Sequence, residues 1–298
     1  MRIGFSLPQF GTIASEPGAV IRFAREAEAL GADSLWAGDR LLSPVRPEIG
    51  YSGTDTMPEQ FRSRLDPFTV LTAAAAVTER ATLGTSVLNA PFYTPALLAR
   101  SLTSIDVISG GRLIPGFGAG WSPDEFRAVG VPTAERGERL DECLDVLQTL
   151  WTSNPAEHHG KHWDIAVTYA DLKPAQCPRP PVYLGGYSPA ALRRVARRGD
   201  GWLPAAVVPG RLDPAALAGT LSRIREEAER GGRDPQRIDA ILRINPTSRA
   251  TSADVAEAID VARQEAGIED VFAEIMYVAG TVAEAIDFAG DVLARAER

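Results

Sequence analysis

Two patterns of hydrophobic positions alternate along this chain. Short, nearly continuous apolar runs lie at residues 3–7, 34–37, 82–88, 112–117, 182–184, 201–204, 238–244 and 271–277. Runs of this length and make-up read as strands buried on both faces. Between them, apolar positions recur every three or four residues at 19–30, 67–78, 95–108, 189–198, 214–230, 253–266 and 282–296, with two further segments at 123–129 and 135–151. These read as helices. In the first, Val20, Phe23, Ala24, Ala27 and Leu30 share one helical face, and Gly31 supplies a stop. Two stretches break the alternation. Residues 38–66 are rich in Pro and Gly and have no period, and residues 152–180 are irregular. A loop as long as the first is usually functional or mobile.

The order is strand then helix, through eight units. Eight parallel units close into a (β/α)8 TIM barrel. A doubly wound sheet is the alternative, though it usually has fewer strands. No shift in composition marks a second domain. The predicted fold is one α/β domain over residues 1–298, with insertions after strands 2 and 4.

Composition narrows the function classes. The chain is 45% hydrophobic and 23% charged, with net charge −8, so nothing favours a nucleic-acid partner. No apolar run approaches membrane-spanning length and no signal peptide is read at the start, so the expected location is cytoplasmic. Cys143 and Cys177 make neither a disulfide framework nor a metal cluster. His158, His159 and His162 share one short segment, where Asp164 is the nearby acid. That spacing matches no closed zinc pattern, and no metal is expected.

A barrel places its site at the C-terminal ends of the strands. The residues there are Gln9 and Phe10, Gly38 to Arg40, Asn89 and Ala90, Gly118 to Trp121, Gly185 to Ser188, Ala205 and Ala206, Asn245, and Tyr277. The set holds one acid, one arginine, several glycines and several aromatics. It offers no His, Cys or Lys, and no facing carboxylates unless Asp124 or Glu125 reaches in. Such a bowl supplies little acid–base chemistry of its own and suits a cofactor that carries the reaction. One turn points to the cofactor's class. Val182-Tyr183-Leu184 leads into Gly185-Gly186, and Ser188-Pro189 then opens a helix as N-cap and first residue. A glycine turn before a capped helix N-terminus offers free N–H groups and a favourable dipole to a phosphate. An ordinary strand-to-helix turn has the same look.

Taken together, these strand ends resemble the bacterial luciferase-like superfamily, in particular its deazaflavin (F420)-dependent oxidoreductase branch. The resemblance rests on WAGDRL at 36–41, LGTSVL at 83–88, YTPALLA at 93–99, LTSIDVISGGR at 102–112, GFGAGW at 116–121, ERG at 135–137, GGYS at 185–188 and GDGW at 199–202. It spans most of the chain in order. It implies a barrel with a flavin or deazaflavin across its mouth, and hydride transfer between reduced coenzyme F420 and a small organic substrate. An FMN-dependent monooxygenase using dioxygen is the alternative, and a flavin-binding protein without catalysis is a third. Relatives are often dimers, so a homodimer is expected.

The resemblance also assigns residues. Gly185, Gly186, Tyr187 and Ser188 match the phosphate-binding turn. Ser86, Val87 and Leu88 match the segment that props the ring from behind, often through an unusual peptide bond. Gly118 and Gly120 match the turn beside the ring, and Phe10 and Trp121 fall in the substrate pocket. Asp39 is placed to hydrogen-bond the ring and, with Arg40, holds the catalytic position. Many relatives carry a His where Arg40 stands. An arginine cannot serve as a base near neutrality, but it can bind a carboxylate or an anionic ring. Asp39 and Arg40 could instead pair with each other. Glu125 reads as a helix-dipole residue, Arg136 as a phosphate contact or a helix anchor, and Arg194 as part of a solvated face.

Overall fold

The computed structural model describes residues 1–296; residues 297–298, counted above within the domain, lie outside the described residues. In chain order its strands are β1 (Arg2–Ser6), β2 (Ser34–Ala37), β3 (Thr82–Thr85), β4 (Leu88–Asn89), β5 (Leu113–Ile114), β6 (Gly116–Gly118), β7 (Ala156–His159), β8 (Asp164–Thr168), β9 (Tyr183–Gly185), β10 (Gly201–Leu203), β11 (Ala205–Val208), β12 (Asp239–Pro246) and β13 (Asp270–Ala273). The helices are α1 (Ala19–Leu30), α2 (Pro67–Ala75), α3 (Pro95–Ile108), α4 (Pro123–Ala128), α5 (Arg136–Thr152), α6 (Pro189–Arg198), α7 (Pro214–Arg230), α8 (Ser252–Ala266) and α9 (Val282–Arg295).

The main sheet is parallel throughout and curled. β13 pairs with β1, β1 with β2, β2 with β3 and β3 with β5. β4 pairs with β6, β6 with β9, β9 with β10, β10 with β12 and β12 with β13, while β11 lies beside β12. Alternate side chains of each strand face opposite ways, and the two faces carry two cores. Phe5, Leu35, Leu83 and Leu113 join the large cluster shared with the helices. Trp36, Tyr183, Leu203, Ile241 and Phe272 form a separate cluster, in which Trp36 stacks on Phe272 with centroids 4.5 Å apart. Gly84 pairs in register with Trp36. The indole lies over it, where any Cβ would collide.

Several elements differ from the expectation. The run 82–88 is two strands, and the Ser86–Val87 peptide bond between them is cis. The run 112–117 is also two, parted at Pro115, which has no N–H for the ladder. The helix expected at 67–78 stops at Ala75, and the strand expected at 271–277 stops at Ala273. Residues 152–180 are not wholly irregular: β7 and β8 form an antiparallel hairpin. It docks on α5 where the Glu142 carboxylate accepts the N–H groups of His162 and Trp163 at 3.0 and 2.8 Å. Residues 38–66 contain two short 3-10 turns and are tied to the body by side chains. No helix among the described residues is long and apolar enough to cross a membrane.

Candidate active site

A cleft of about 710 Å³ opens at the C-terminal ends of the strands, within the range of sites that take cofactor-sized molecules. Its lining falls into two parts.

The first part is rich in glycine and follows from the β9–α6 turn. Gly185, Gly186, Tyr187 and Ser188 line it, with Ala190 and Ala191 of the first turn of α6. Gly186 has φ +125°, a left-handed conformation open to glycine. The Ser188 Oγ caps α6 by accepting the Ala191 N–H at 3.2 Å. Ser86, Val87 and Gly118 line this part as well. The Val87 side chain lies against both glycine turns: a Cβ on Gly118 would stand 2.7 Å from it, and one on Gly185 3.0 Å. Missing side chains therefore let Val87 pack close to both turns. Tyr187 lies edge-on to Trp202 at 5.7 Å, and its hydroxyl both donates to and accepts from the backbone of Ala205.

The second part is aromatic and draws on residues 38–66. Phe10, Tyr51, Phe61 and Trp121 line it, with Asp39 and Arg40. Tyr51 meets Phe61 edge-on at 5.1 Å and Trp121 at 6.0 Å, and Phe10 packs on Phe61 at 5.5 Å.

Asp39 and Arg40 do not pair with each other through hydrogen bonds. The Asp39 carboxylate accepts the Asn89 N–H at 2.8 Å and the Tyr93 hydroxyl. Burial raises the Asp39 carboxyl above its ordinary range, and those two donors with the nearby Arg40 only partly offset it. Arg40 is held by Glu125 of α4. Its Nε and Nη2 donate to both carboxylate oxygens, the Nε bond being 2.8 Å. Glu125 also accepts the N–H groups of Leu41 and Leu42, each at 2.8 Å, and its side chain is 0% exposed. Burial lowers the Arg40 guanidinium, but so close a carboxylate keeps it charged at neutral pH. The carboxylate that Arg40 binds is thus the chain's own. Glu125, read from sequence as a helix-dipole residue, ties the start of the 38–66 segment to α4.

A second buried pair lies at the cleft. Arg243 of β12 lines it and donates to Glu274 at 2.6 Å and to the Ser86 carbonyl at 3.2 Å. Glu274 also accepts the Ser6 hydroxyl and the Met276 N–H. Burial by itself would lower the Arg243 guanidinium; Glu274 and the hydroxyls of Tyr51 and Tyr277 hold it above its ordinary value. Sequence reading missed this pair. The available signal was a charge inside each of two apolar strand runs, Arg243 near the end of one and Glu274 in the middle of the other.

The remaining assignments divide. Phe10, Asp39, Arg40, Ser86, Val87, Gly118, Gly120, Trp121 and Gly185 to Ser188 all line the cleft. Leu88 does not. It is 0% exposed in the large core beside Phe117, because alternation along the strand turns it away from the face Val87 presents. Arg194 is not a solvated-face residue. It donates to both oxygens of Asp141 at 2.7 and 2.9 Å beside the glycine-rich part. Asp164 is not the only acid near the three histidines. Folding brings Glu135, Glu138 and Glu142 of α5 to them. Among the described residues no group of three or more His, Cys, Asp or Glu is arranged to hold a metal.

Comparison with known proteins bears on the cleft as a whole. An uncharacterized Mycobacterium tuberculosis protein is 35% identical over 211 residues, covering 70% of this chain and 72% of that protein. An F420-dependent glucose-6-phosphate dehydrogenase from Amycolatopsis mediterranei is 30% identical over 211 residues, covering 68% of this chain and 57% of that enzyme. The crystal structure of the monooxygenase RslO1 from Streptomyces bottropensis superposes with a TM-score of 0.78 at 23% identity, over 99% of this chain and 98% of that one. The model of the luciferase-like monooxygenase family matches residues 1–295. That match takes in every strand end that builds the cleft, and the chain belongs to the luciferase-like monooxygenase family.

Proposed function

We propose that this protein is an oxidoreductase that passes a hydride between a reduced deazaflavin, coenzyme F420, and a small organic substrate. The proposed frame is one (β/α)8 barrel with insertions after its second and fourth strands, acting as a cytoplasmic homodimer. The observation that carries the reading is the lining of the cleft. Glycine turns and a capped helix N-terminus make up one part, rings make up the other, and no His, Cys or Lys lies among them. The similarity to an F420-dependent dehydrogenase supports F420.

The residues present fit such a cofactor. Gly118 and Gly185 let the Val87 side chain lie close to both turns, and this wall of small residues suits a planar ring system. The N-terminal turn of α6 and Ser188 would take the phosphate, with Arg136 exposed nearby. When bound, the reduced deazaflavin supplies a hydride from its C5 carbon. The chain's own part is to bind, orient and shield. Tyr51, Phe61 and Trp121 exclude water from the reacting face. Asp39 holds a proton on its carboxyl more tightly than an ordinary carboxylic acid does, and can deliver it to a substrate oxygen that gains charge as hydride arrives. Arg40, engaged by Glu125, serves as wall and anchor.

Fluorescence titration with oxidised F420 and with FMN tests the reading. F420 binding at least about tenfold tighter than FMN is the expected result. The reverse order would move the protein to an FMN-dependent monooxygenase. Binding of neither would remove the cofactor altogether. Light scattering reads the oligomeric state.

A further inference from the structure

The cations that line the aromatic part of the cleft are already spent. Arg40 is bidentate on Glu125, and Arg243 is bonded to Glu274 at 2.6 Å. The Arg40 guanidinium also lies 4.8 Å from the Trp121 ring centre and 5.6 Å from that of Phe61, so rings cover it while its edge faces Glu125. Asp39, the acid of this part, supplies no positive charge, and its carboxyl is taken up by the Asn89 N–H and the Tyr93 hydroxyl. The one cleft cation without an ion pair among the described residues is Arg136, and it lies beside the glycine-rich part.

We propose that the aromatic part of the cleft takes a flat, uncharged aromatic alcohol or ketone and turns away its carboxylated analogue. The inference rests on the reading above, in which the glycine-rich part holds the cofactor. Rings tilted or edge-on to one another around the pocket favour a planar apolar guest. An entering carboxylate must either part Arg40 from Glu125 or lose its water without gaining a cation. A site whose cations are already ion-paired gains little from an added charge and bears its desolvation; the Arg243 Nε, which has no partner, is itself buried.

Isothermal titration with 2-naphthol and with 6-hydroxy-2-naphthoic acid at pH 7.5, with and without saturating F420, is the test. The two probes share a ring system and differ by one carboxylate. Naphthol should bind at least about tenfold tighter than the acid. Phe61→Leu should weaken naphthol several-fold and leave the affinity for F420 within about twofold. Glu125→Gln, which leaves Arg40 unpaired, should raise the affinity for the acid about tenfold; if that variant does not fold, the wild-type preference and Phe61→Leu decide. Equal or tighter binding of the acid, no binding of naphthol, or an unaltered Phe61→Leu variant would overturn the inference. Loss of the naphthol preference with F420 bound normally overturns this inference alone. Failure of both cofactors to bind with the preference intact overturns only the cofactor reading.

Discussion

The two ends of the parallel sheet handle buried charge in opposite ways. At the N-terminal ends of the strands Asp270 pairs with Arg2, but Glu28 and Arg112 are saturated by backbone. Glu28 accepts N–H groups from Glu79, Arg80 and Ala81. Burial works against its charge, and those three donors more than offset it, holding the carboxyl below its ordinary range. Arg112 donates to the carbonyls of Ser109, Ala81, Ala75 and Thr78, and to the Thr78 hydroxyl. At the C-terminal ends, Arg40 and Arg243 are matched mainly by side chains, Glu125 and Glu274. A charge bound to many backbone groups staples elements together and leaves no room for a guest. A charge bound to one side chain stands at a surface that can face a guest. The same residue types thus build a staple at one end and a cleft at the other.

The comparison can be broken by substitution. Arg112→Ala leaves four carbonyls without their donor and should cost about 3–5 kcal/mol in urea denaturation. The F420 affinity of the folded fraction should stay within about threefold. A cost under about 1 kcal/mol would mean that Arg112 is no staple. Asp39→Asn at the other end should do the reverse. The turnover number should fall about 100- to 1,000-fold while the Kd for F420 moves less than about fivefold. The wild-type rate should also carry a pH signature. The Asp39 pKa is raised by burial, so its protonated form persists to higher pH than an ordinary carboxyl's. The rate should fall as pH rises through that raised value, and Asp39→Asn should flatten the profile.

Two smaller effects sharpen the contrast. Gly185→Val pushes a side chain toward Val87 and should weaken F420 about 30-fold by titration, with under about 1 kcal/mol lost in thermal unfolding. Asp270 lies at the N-terminal end of β13. Burial pushes its carboxyl up to about 6; the nearby Asp239 and Asp33 add to this, and Arg2 opposes it. A folded-state value above the unfolded one means that Asp270 contributes stability below about pH 4, lost as pH rises through about 6. Asp270→Asn should therefore be more stable than wild type by about 1 kcal/mol at pH 7.5, with the difference vanishing below about pH 4. A constant difference across that range would point to the lost Arg2 contact instead.

How far the sequence could be read follows from the range of the forces involved. The strand and helix order was legible because apolar spacing is local: Val20, Phe23, Ala24 and Ala27 share a face whatever surrounds them. The turn at Gly185 to Ser188 was legible for the same reason, since a glycine turn and an N-cap act within a few residues. So was the gathering of Asp39, Gly118 and Gly185 at one end, because parallel strands must all point the same way. The choice of partners was not legible. Glu125 lies 85 residues from Arg40, and Arg243 lies 157 residues from the Ser86 carbonyl it meets. Leu88 was misread because it turns to the large core rather than to the face Val87 presents, and the strand break before it is not visible in the apolar run. Sequence by itself determined most of the elements, their order and the end at which the cleft forms. Tertiary structure alone decided which charges are free and which are spent, because an ion pair is set by where two distant segments meet and leaves no periodic trace in either one.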